Sequence, residues 1–175
     1  MPQNILETID RLPPRAKLLL ESAIQLADNE LKLQVVDTSV VLLIIIRLGD
    51  GNASAKWLRS TGLTEETILR FINQEFTQRE KGKPRQTARG GQCQTQNIPV
   101  FTTAITRMIN RLVDGFARNG RATDAVYVCN VAIAYSDSRT VQLIFNSVGL
   151  DMADVRSTLG TPPTLDLGRL HLRRS

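Results

Sequence analysis

The sequence contains few of the residues on which most enzyme and metal sites depend. Its 175 residues include one histidine, two cysteines and only 5% aromatic residues. The histidine, His171, has no cysteine or carboxylate at the spacing of a metal site or a catalytic triad. The two cysteines, Cys93 and Cys129, lack the paired spacing of a zinc site. We therefore expect no metal, no cofactor and no catalytic residues.

Further absences argue against membrane-spanning proteins and ATPases. The longest unbroken apolar run, Val40 to Ile46, is seven residues long, whereas a membrane-spanning helix needs roughly 20. The N-terminal residues show no export or transit signal, so we expect a cytoplasmic protein. No Gly-x-x-x-x-Gly-Lys-Ser/Thr sequence occurs, and the chain is therefore not expected to hydrolyse ATP itself.

Positive charge is concentrated in two segments. The chain has 22 Lys and Arg against 17 Asp and Glu, a net charge of +5. Residues 77–97 carry +4 of this excess and residues 160–175 carry +2, so the rest of the chain is close to neutral. Basic segments can bind nucleic acid, but solvated segments that aid solubility are more common. A nucleic-acid-associated helical protein that uses the basic 79–89 loop and the C-terminal tail is thus kept as the alternative function.

The chain repeats a helical pattern in its two halves. Two regions with apolar periodicity, about 4–76 and 98–159, flank the polar segment 77–97, which has the composition of a flexible linker. The predicted repeats span 12–76 and 98–159, and 160–175 forms a tail. A shift of 89 residues superimposes two sets of six apolar positions. They are Ala16, Leu19, Leu20, Ala23, Ile24 and Ala27, and Ile105, Met108, Ile109, Leu112, Val113 and Phe116. Their spacing predicts one amphipathic helix in each half.

A shift of 87 residues extends the repeat to the end of each half. It places Ala53, Trp57, Leu58 and Thr61 on Thr140, Ile144, Phe145 and Val148, and Gly62-Leu63 on Gly149-Leu150. Each glycine suits the left-handed residue that closes a helix. Thr64 and Asp151 follow as N-caps of the next helix. The sequence therefore predicts an internal duplication with a period near 88 residues.

One segment has two interpretations. Val35-Val36 and Val40 to Ile46 are rich in β-branched residues and read locally as a buried strand. The run from Thr38 to Leu48 is long for a strand, and Thr38 is suited to the N-cap of a helix. We favour a helix buried on most sides. The predicted fold is all-α, with two pseudo-repeated four-helix units packed as one domain.

The repeat resembles the Clp N-terminal domain, the doubled helical module at the front of Clp-type protein-unfolding ATPases. The segments 14–23, 38–47 and 50–63 are similar to the first, second and last helices of the family unit. In the second copy the similar segments are Phe101-Thr102, Thr123-Asp124 and Ser138 to Leu150. The resemblance covers about 12–76 and 98–159. It implies either a free-standing relative of this module or the detached front of a longer protein.

This resemblance implies a non-catalytic module that binds protein or peptide. The expected partners are a Clp-type ATPase, a protease core, an adaptor or a substrate. A partner segment would lie in a groove between the repeats, where helix starts offer hydrogen bonds from Thr38, Ser39, Thr123 and Asp124. The family's Glu-His pair is replaced by Ser39-Val40. In some members that glutamate helps to bind phosphorylated arginine, a role that needs a charge which serine lacks.

Overall fold

The protein is mostly helical, as predicted. A computed structural model describes residues 4–48, 52–81, 100–119, 133–134 and 136–159. In chain order the helices are α1 (Ile5–Asp10), α2 (Pro14–Gln25), α3 (Thr38–Arg47), α4 (Ala53–Ser60), α5 (Glu65–Lys81), α6 (Thr103–Asn119), α7 (Arg139–Asn146) and α8 (Met152–Leu159). A π-helical turn, Leu26–Glu30, extends α2. None of these helices has the length and apolar character needed to cross a membrane.

Helix α3 lies at the centre of the core. It packs against α2, α4 and α5 of the first half and against α6 and α7 of the second. Eight of its ten residues are buried, which explains why it is apolar on nearly every side: Thr38, Ser39, Val40, Val41, Leu42, Leu43, Ile45 and Ile46. The helical interpretation of this β-rich segment is therefore confirmed, since tertiary burial outweighs the local strand propensity.

The first helices of the two halves bury the positions that the sequence pattern predicts. In α2 and α6 the buried residues are Ala16, Leu19, Leu20 and Ala23, and Ile105, Met108, Ile109 and Leu112. The next predicted pair, Ile24 and Val113, is half-buried in both helices. Helix α2 begins with proline, whereas α6 is capped by the Thr102 hydroxyl, which accepts a bond from the Ile105 amide.

Two glycines close helices as predicted. Gly62 follows α4 with φ +90°, and Gly149 follows α7 with φ +78°. After each glycine comes a capped helix, because the Thr64 hydroxyl accepts a bond from the Thr67 amide and the Asp151 carboxylate accepts one from the Asp154 amide. The caps predicted at Thr64 and Asp151 are thus confirmed.

The spacing of the last helices differs slightly from the predicted register. Asn52 caps α4 and Ser138 caps α7, 86 residues apart, while Gly62 and Gly149 are 87 residues apart. The turn after α7 therefore holds one residue more than the turn after α4. The buried positions follow the shorter interval, with Ser54, Ala55 and Leu58 in α4 and Thr140, Val141 and Ile144 in α7.

Two local predictions need correction. The N-cap of α3 is Asp37, and Thr38 is the first helical residue. Helix α5 continues to Lys81, so the predicted linker 77–97 begins too early; the residues from 78 to 81 are good helix formers, and the first glycine follows at 82. The additional helix α1 precedes the predicted first repeat. The remaining linker residues 82–97, the first two residues of the predicted second repeat, 98–99, and the tail 160–175 lie outside the described residues.

A two-stranded parallel sheet joins the two halves. Strand β1 (Val35–Val36) pairs with β2 (Val100–Phe101), with Val35 opposite Val100 and Val36 opposite Phe101. The amides of Val100 and Thr102 donate to the carbonyls of Gln34 and Val36, at 2.9 and 3.0 Å. This pairing places the start of α6 directly beside the start of α3.

Candidate functional site

The starts of three helices meet at one buried carboxylate. Asp37 precedes α3 in an extended conformation, with φ −119° and ψ 164°, and its side chain accepts a hydrogen bond from the Ser39 amide at 3.1 Å. Aspartate is among the residues preferred at this position, because its oxygen satisfies an amide that has no partner within the helix. The Asp37 side chain thus caps α3 in place of the predicted Thr38.

The Asp37 carboxylate also receives hydrogen bonds from the second half of the chain. The hydroxyl of Thr102, the residue before α6, donates to Oδ1 at 2.6 Å. The hydroxyl of Ser138, the N-cap of α7, donates to Oδ2 at 2.6 Å. The Ser39 hydroxyl donates to the same oxygen at 2.9 Å. We call these four residues, Asp37, Ser39, Thr102 and Ser138, the Asp37 junction.

Two hydroxyls of the Asp37 junction link the carboxylate to further helix ends. Thr102 Oγ1 accepts a hydrogen bond from the Ile105 amide at 3.4 Å, and Ser138 Oγ accepts one from the Val141 amide at 3.3 Å. Each hydroxyl therefore caps its own helix and donates its proton to Asp37. The carboxylate orients both hydroxyls, because a hydroxyl that donates in one direction presents its lone pairs in another.

Burial of this carboxylate is compensated by hydrogen bonds and helix dipoles. Asp37 is only 3% exposed, and no lysine or arginine among the described residues forms an ion pair with it. Burying such a group is costly unless its oxygens are satisfied. Here four hydrogen bonds satisfy them, and the positive ends of three helices face the charge. The Asp37 junction therefore holds the starts of α3, α6 and α7 together.

The predicted partner-binding residues of the first copy lie inside the protein. Thr38 and Ser39 are 1% and 0% exposed. The Ser39 hydroxyl is bonded to Asp37, whereas the Thr38 hydroxyl oxygen has no hydrogen-bond partner among the residues that the structure describes. A partner that binds at the surface would contact neither side chain unless the residues that bury them moved. The other two predicted residues, Thr123 and Asp124, lie outside the described residues.

A cavity of the size of a small ligand site lies at the end of α3 opposite to the Asp37 junction. A cavity of about 350 Å³ opens to solvent where α3 ends and α4 turns into α5; we call it the corner cavity. Its lining residues are Ile46, Arg59, Gly62, Leu63, Thr64 and Glu65. The sequence predicted that Gly62 ends one helix and that Thr64 caps the next, but none of its patterns indicated that a cavity forms beside these residues.

An ion-pair network fixes one side of the corner cavity. The Arg47 guanidinium at the end of α3 contacts Glu65 at 2.6 Å and Glu30 at 3.1 Å. The hydrogen bond to Glu65 is the main reason why the pKa of Arg47 is raised above its ordinary value, and the bond to Glu30 adds to the effect. The network ties the π-helical turn and the start of α5 to the end of α3.

The described residues provide no metal site. No group of three or more His, Cys, Asp or Glu side chains in the described ranges is arranged to hold a metal ion. His171, Cys93 and Cys129 lie outside those ranges. The chain matches no protein-family model, and a comparison with curated proteins also finds no match.

Proposed function

We propose that this protein is a non-catalytic module that binds protein or peptide, built on the plan of the Clp N-terminal domain. One observation carries the proposal. Both halves contain a short capped helix, a glycine with positive φ and a second capped helix, namely α4, Gly62 and α5, and α7, Gly149 and α8. This order of local structures is what the resemblance implies for two copies of one helical unit.

The burial pattern of the first helices supports the same proposal. The four apolar positions of α2 that are buried have buried counterparts in α6 at the interval of 89 residues. Two helical units that each bury one face would pack against one another. The proposed partners remain a Clp-type ATPase, a protease core, an adaptor or a substrate.

The surroundings of Ser39 argue against one ligand of the family, phosphorylated arginine. The family's glutamate is absent at this position, and the Ser39 hydroxyl is held by the buried Asp37. An incoming phosphate group would also approach the carboxylate of Asp37, which would repel it. Recognition of phosphorylated arginine at the first copy is therefore not part of the function that we propose.

A pull-down from extract of the source cell tests the proposal. The bait is the full-length protein, compared at low and high salt with a variant in which residues 82–97 are replaced by a short neutral linker. The replacement begins after Lys81 so that α5 stays intact. Retention of a Clp-type ATPase, its protease or an adaptor by both baits at high salt supports the proposal.

The same experiment includes the outcome that would overturn it. Retention of nucleic acid alone, lost with the basic segment or at high salt, would support the alternative function, because contacts with phosphates weaken steeply as salt rises. Retention of neither class of partner would also contradict a role in Clp-type machinery. A bait with Arg15→Glu, a charge reversal at an exposed position of α2, controls for general charge effects.

A further inference from the structure

The connection between α2 and β1 contains two uncommon backbone conformations. Helix α2 ends in the π-helical turn Leu26–Glu30, where the Leu31 amide donates to the Leu26 carbonyl at 3.0 Å across five residues instead of the usual four. Lys32 then takes the left-handed conformation, with φ +51°, which is unfavourable for a lysine. Such conformations persist only where the surrounding contacts hold them.

The charge of Glu30 explains why α2 does not end in an ordinary α-helical turn. Ala23 and Ala27 lie on the buried face of α2, and each is 0% exposed. Residue 30 follows them by seven and three positions, so an uninterrupted α-helix would place Glu30 on the same buried face. The extra residue of the π turn rotates Glu30 away from the core, and its side chain is 59% exposed. The uncommon turn thus keeps a carboxylate in water, where its charge is not costly.

The residues from 28 to 33, which we call the strap, are anchored at both ends. Before the strap, the buried Ala27 accepts a hydrogen bond from the Leu33 amide at 2.8 Å. After the strap, β1 is held by its pairing with β2. Within the described part of the chain, the single ion pair of the strap joins Glu30 to Arg47 at 3.1 Å. The outer side of the strap is therefore fixed to α3 by one exposed contact.

We propose that the strap opens as one local unit and that the ion pair between Glu30 and Arg47 keeps it closed. Opening breaks this ion pair together with the hydrogen bonds of the Leu31 and Leu33 amides, and it relieves the left-handed conformation of Lys32. Helix α2 and the sheet stay in place, because their own contacts lie outside the strap.

The proposed opening has a consequence for the protein surface. Leu33 is 7% exposed in the closed strap, and opening brings this apolar side chain into contact with solvent. Salt screens an exposed ion pair, so a rise in ionic strength favours the open strap. The fold therefore contains a salt-sensitive segment that covers or exposes an apolar side chain. This inference does not depend on the proposed function.

Amide hydrogen exchange of the full-length protein, followed residue by residue by NMR, tests the proposal. After correction for intrinsic exchange, the rates of the Leu31 and Leu33 amides should agree within about threefold, because one opening exposes both. Both should exchange at least about tenfold faster than the amides of α2 before Leu26 and than the Val100 amide of the sheet. Ordinary fraying of a helix end would give a gradient along the chain instead. A larger difference between the two strap amides, or protection equal to that in the rest of α2, would overturn the proposal.

Two substitutions should change the exchange of the two strap amides in opposite directions. Glu30→Gln removes the ion pair and should raise the exchange rates about two- to fivefold. Lys32→Gly removes the cost of the left-handed conformation in the closed strap and should lower the rates about twofold or more. Glu21→Gln is the matched control, because Glu21 forms an ion pair with Lys17 at 3.8 Å on the same helix and does not contact the strap. Changes in the same direction for the first two variants, or an equal rise in the control, would refute the proposal.

Salt dependence tests the same contact in the wild-type protein. Between about 0.05 and about 1 M NaCl, the exchange of the two strap amides should rise about two- to fivefold relative to the amides of α2 before Leu26. Glu30→Gln lacks the ion pair and should show no such rise. No rise in the wild type, or a rise of equal size in the variant, would show that the ion pair does not keep the strap closed.

Discussion

Replacing Asp37 with alanine removes the acceptor that three helix starts share. The substitution eliminates four hydrogen bonds, two from Ser39 and one each from Thr102 and Ser138. Hydrogen bonds to a charged group contribute about 1.5–3 kcal/mol each, which gives a gross loss of roughly 6–12 kcal/mol. The net loss of unfolding free energy is smaller, because the variant no longer has to bear the cost of transferring a carboxylate from water to the protein interior.

The compensating effects can be estimated from the structure. Taking an ion out of water costs several kcal/mol, and that cost disappears with the carboxylate. Thr102 and Ser138 keep the bonds from the amides of their own helices, whereas the Ser39 amide loses its cap, worth about 1 kcal/mol. We expect Asp37→Ala to lower the free energy of unfolding by about 3–4 kcal/mol.

Asparagine at the same position should be tolerated better. Its amide oxygen still accepts, asparagine is a good N-cap, and a hydroxyl facing the amide nitrogen can rotate to accept. We expect Asp37→Asn to cost about 1–2 kcal/mol. Urea unfolding followed by circular dichroism measures both variants, with Asp151→Ala as a control because Asp151 caps α8 at an exposed site.

A double-mutant cycle tests whether Asp37 acts across the two halves. Asp37→Ala and Ser138→Ala should be coupled by about 1 kcal/mol or more, since the two side chains share a buried bond of 2.6 Å. Additive effects, or a loss for Asp37→Ala no greater than that for Asp151→Ala, would refute the assigned role of the Asp37 junction.

Three further predictions concern backbone conformation and charge. Lys32 has φ +51°, where glycine avoids a steric penalty, so Lys32→Gly should leave stability unchanged or raise the thermal midpoint slightly; a loss above about 1 kcal/mol would contradict this. In chemical denaturation, Gly62→Ala and Gly149→Ala should each lower the free energy of unfolding by about 1–2 kcal/mol. Backbone strain alone causes this loss, because a Cβ at either position would meet nothing within 4 Å. Variants as stable as the wild type would argue against strain. The hydrogen bond to Asp10 raises the pKa of Lys17 above 10.5, so this contact stabilises the fold below pH 10.5 and is lost as the pH rises through the higher pKa of the folded state. In thermal melts on either side of pH 10.5, the midpoint should therefore fall more steeply with pH for the wild type than for Asp10→Asn. Parallel curves would contradict this prediction.

The sequence predicted those parts of the fold that depend on nearby residues. The apolar periodicity located α2 and α6, and two glycines located the ends of α4 and α7, because such signals are contained within one or two helical turns. Asp37 and Thr38 are both suitable caps, and the choice between them depends on a single pair of backbone angles. The β propensity of Val35-Val36 agrees with β1. Strands of two residues are nevertheless too short for a pattern of alternation to reveal that β1 pairs with β2.

The Asp37 junction lay beyond sequence reasoning for a different reason. Thr102 and Ser138 are separated from Asp37 by 65 and 101 residues. The residues around Thr102 and Ser138 in the sequence indicate that helices start there. They do not indicate that both hydroxyls donate to the same carboxylate. The corner cavity is equally hidden, since Ile46 and Leu63 look like ordinary core positions and the space between them depends on how α3, α4 and α5 cross.

The distance along the chain between Asp37 and Ser138 has a consequence during protein synthesis. A ribosome adds about 5–20 residues per second, so the 101 residues between Asp37 and Ser138 take roughly 5–20 seconds to make. Helices α4 and α5 are made within the first 44 of those residues, and for the rest of the interval α3 can pack against α2, α4 and α5. Its capping carboxylate meanwhile lacks the hydroxyl that Ser138 later supplies. The nascent first half is therefore an incomplete folding unit, and its central helix reaches its final set of contacts only when the start of α7 has left the exit tunnel.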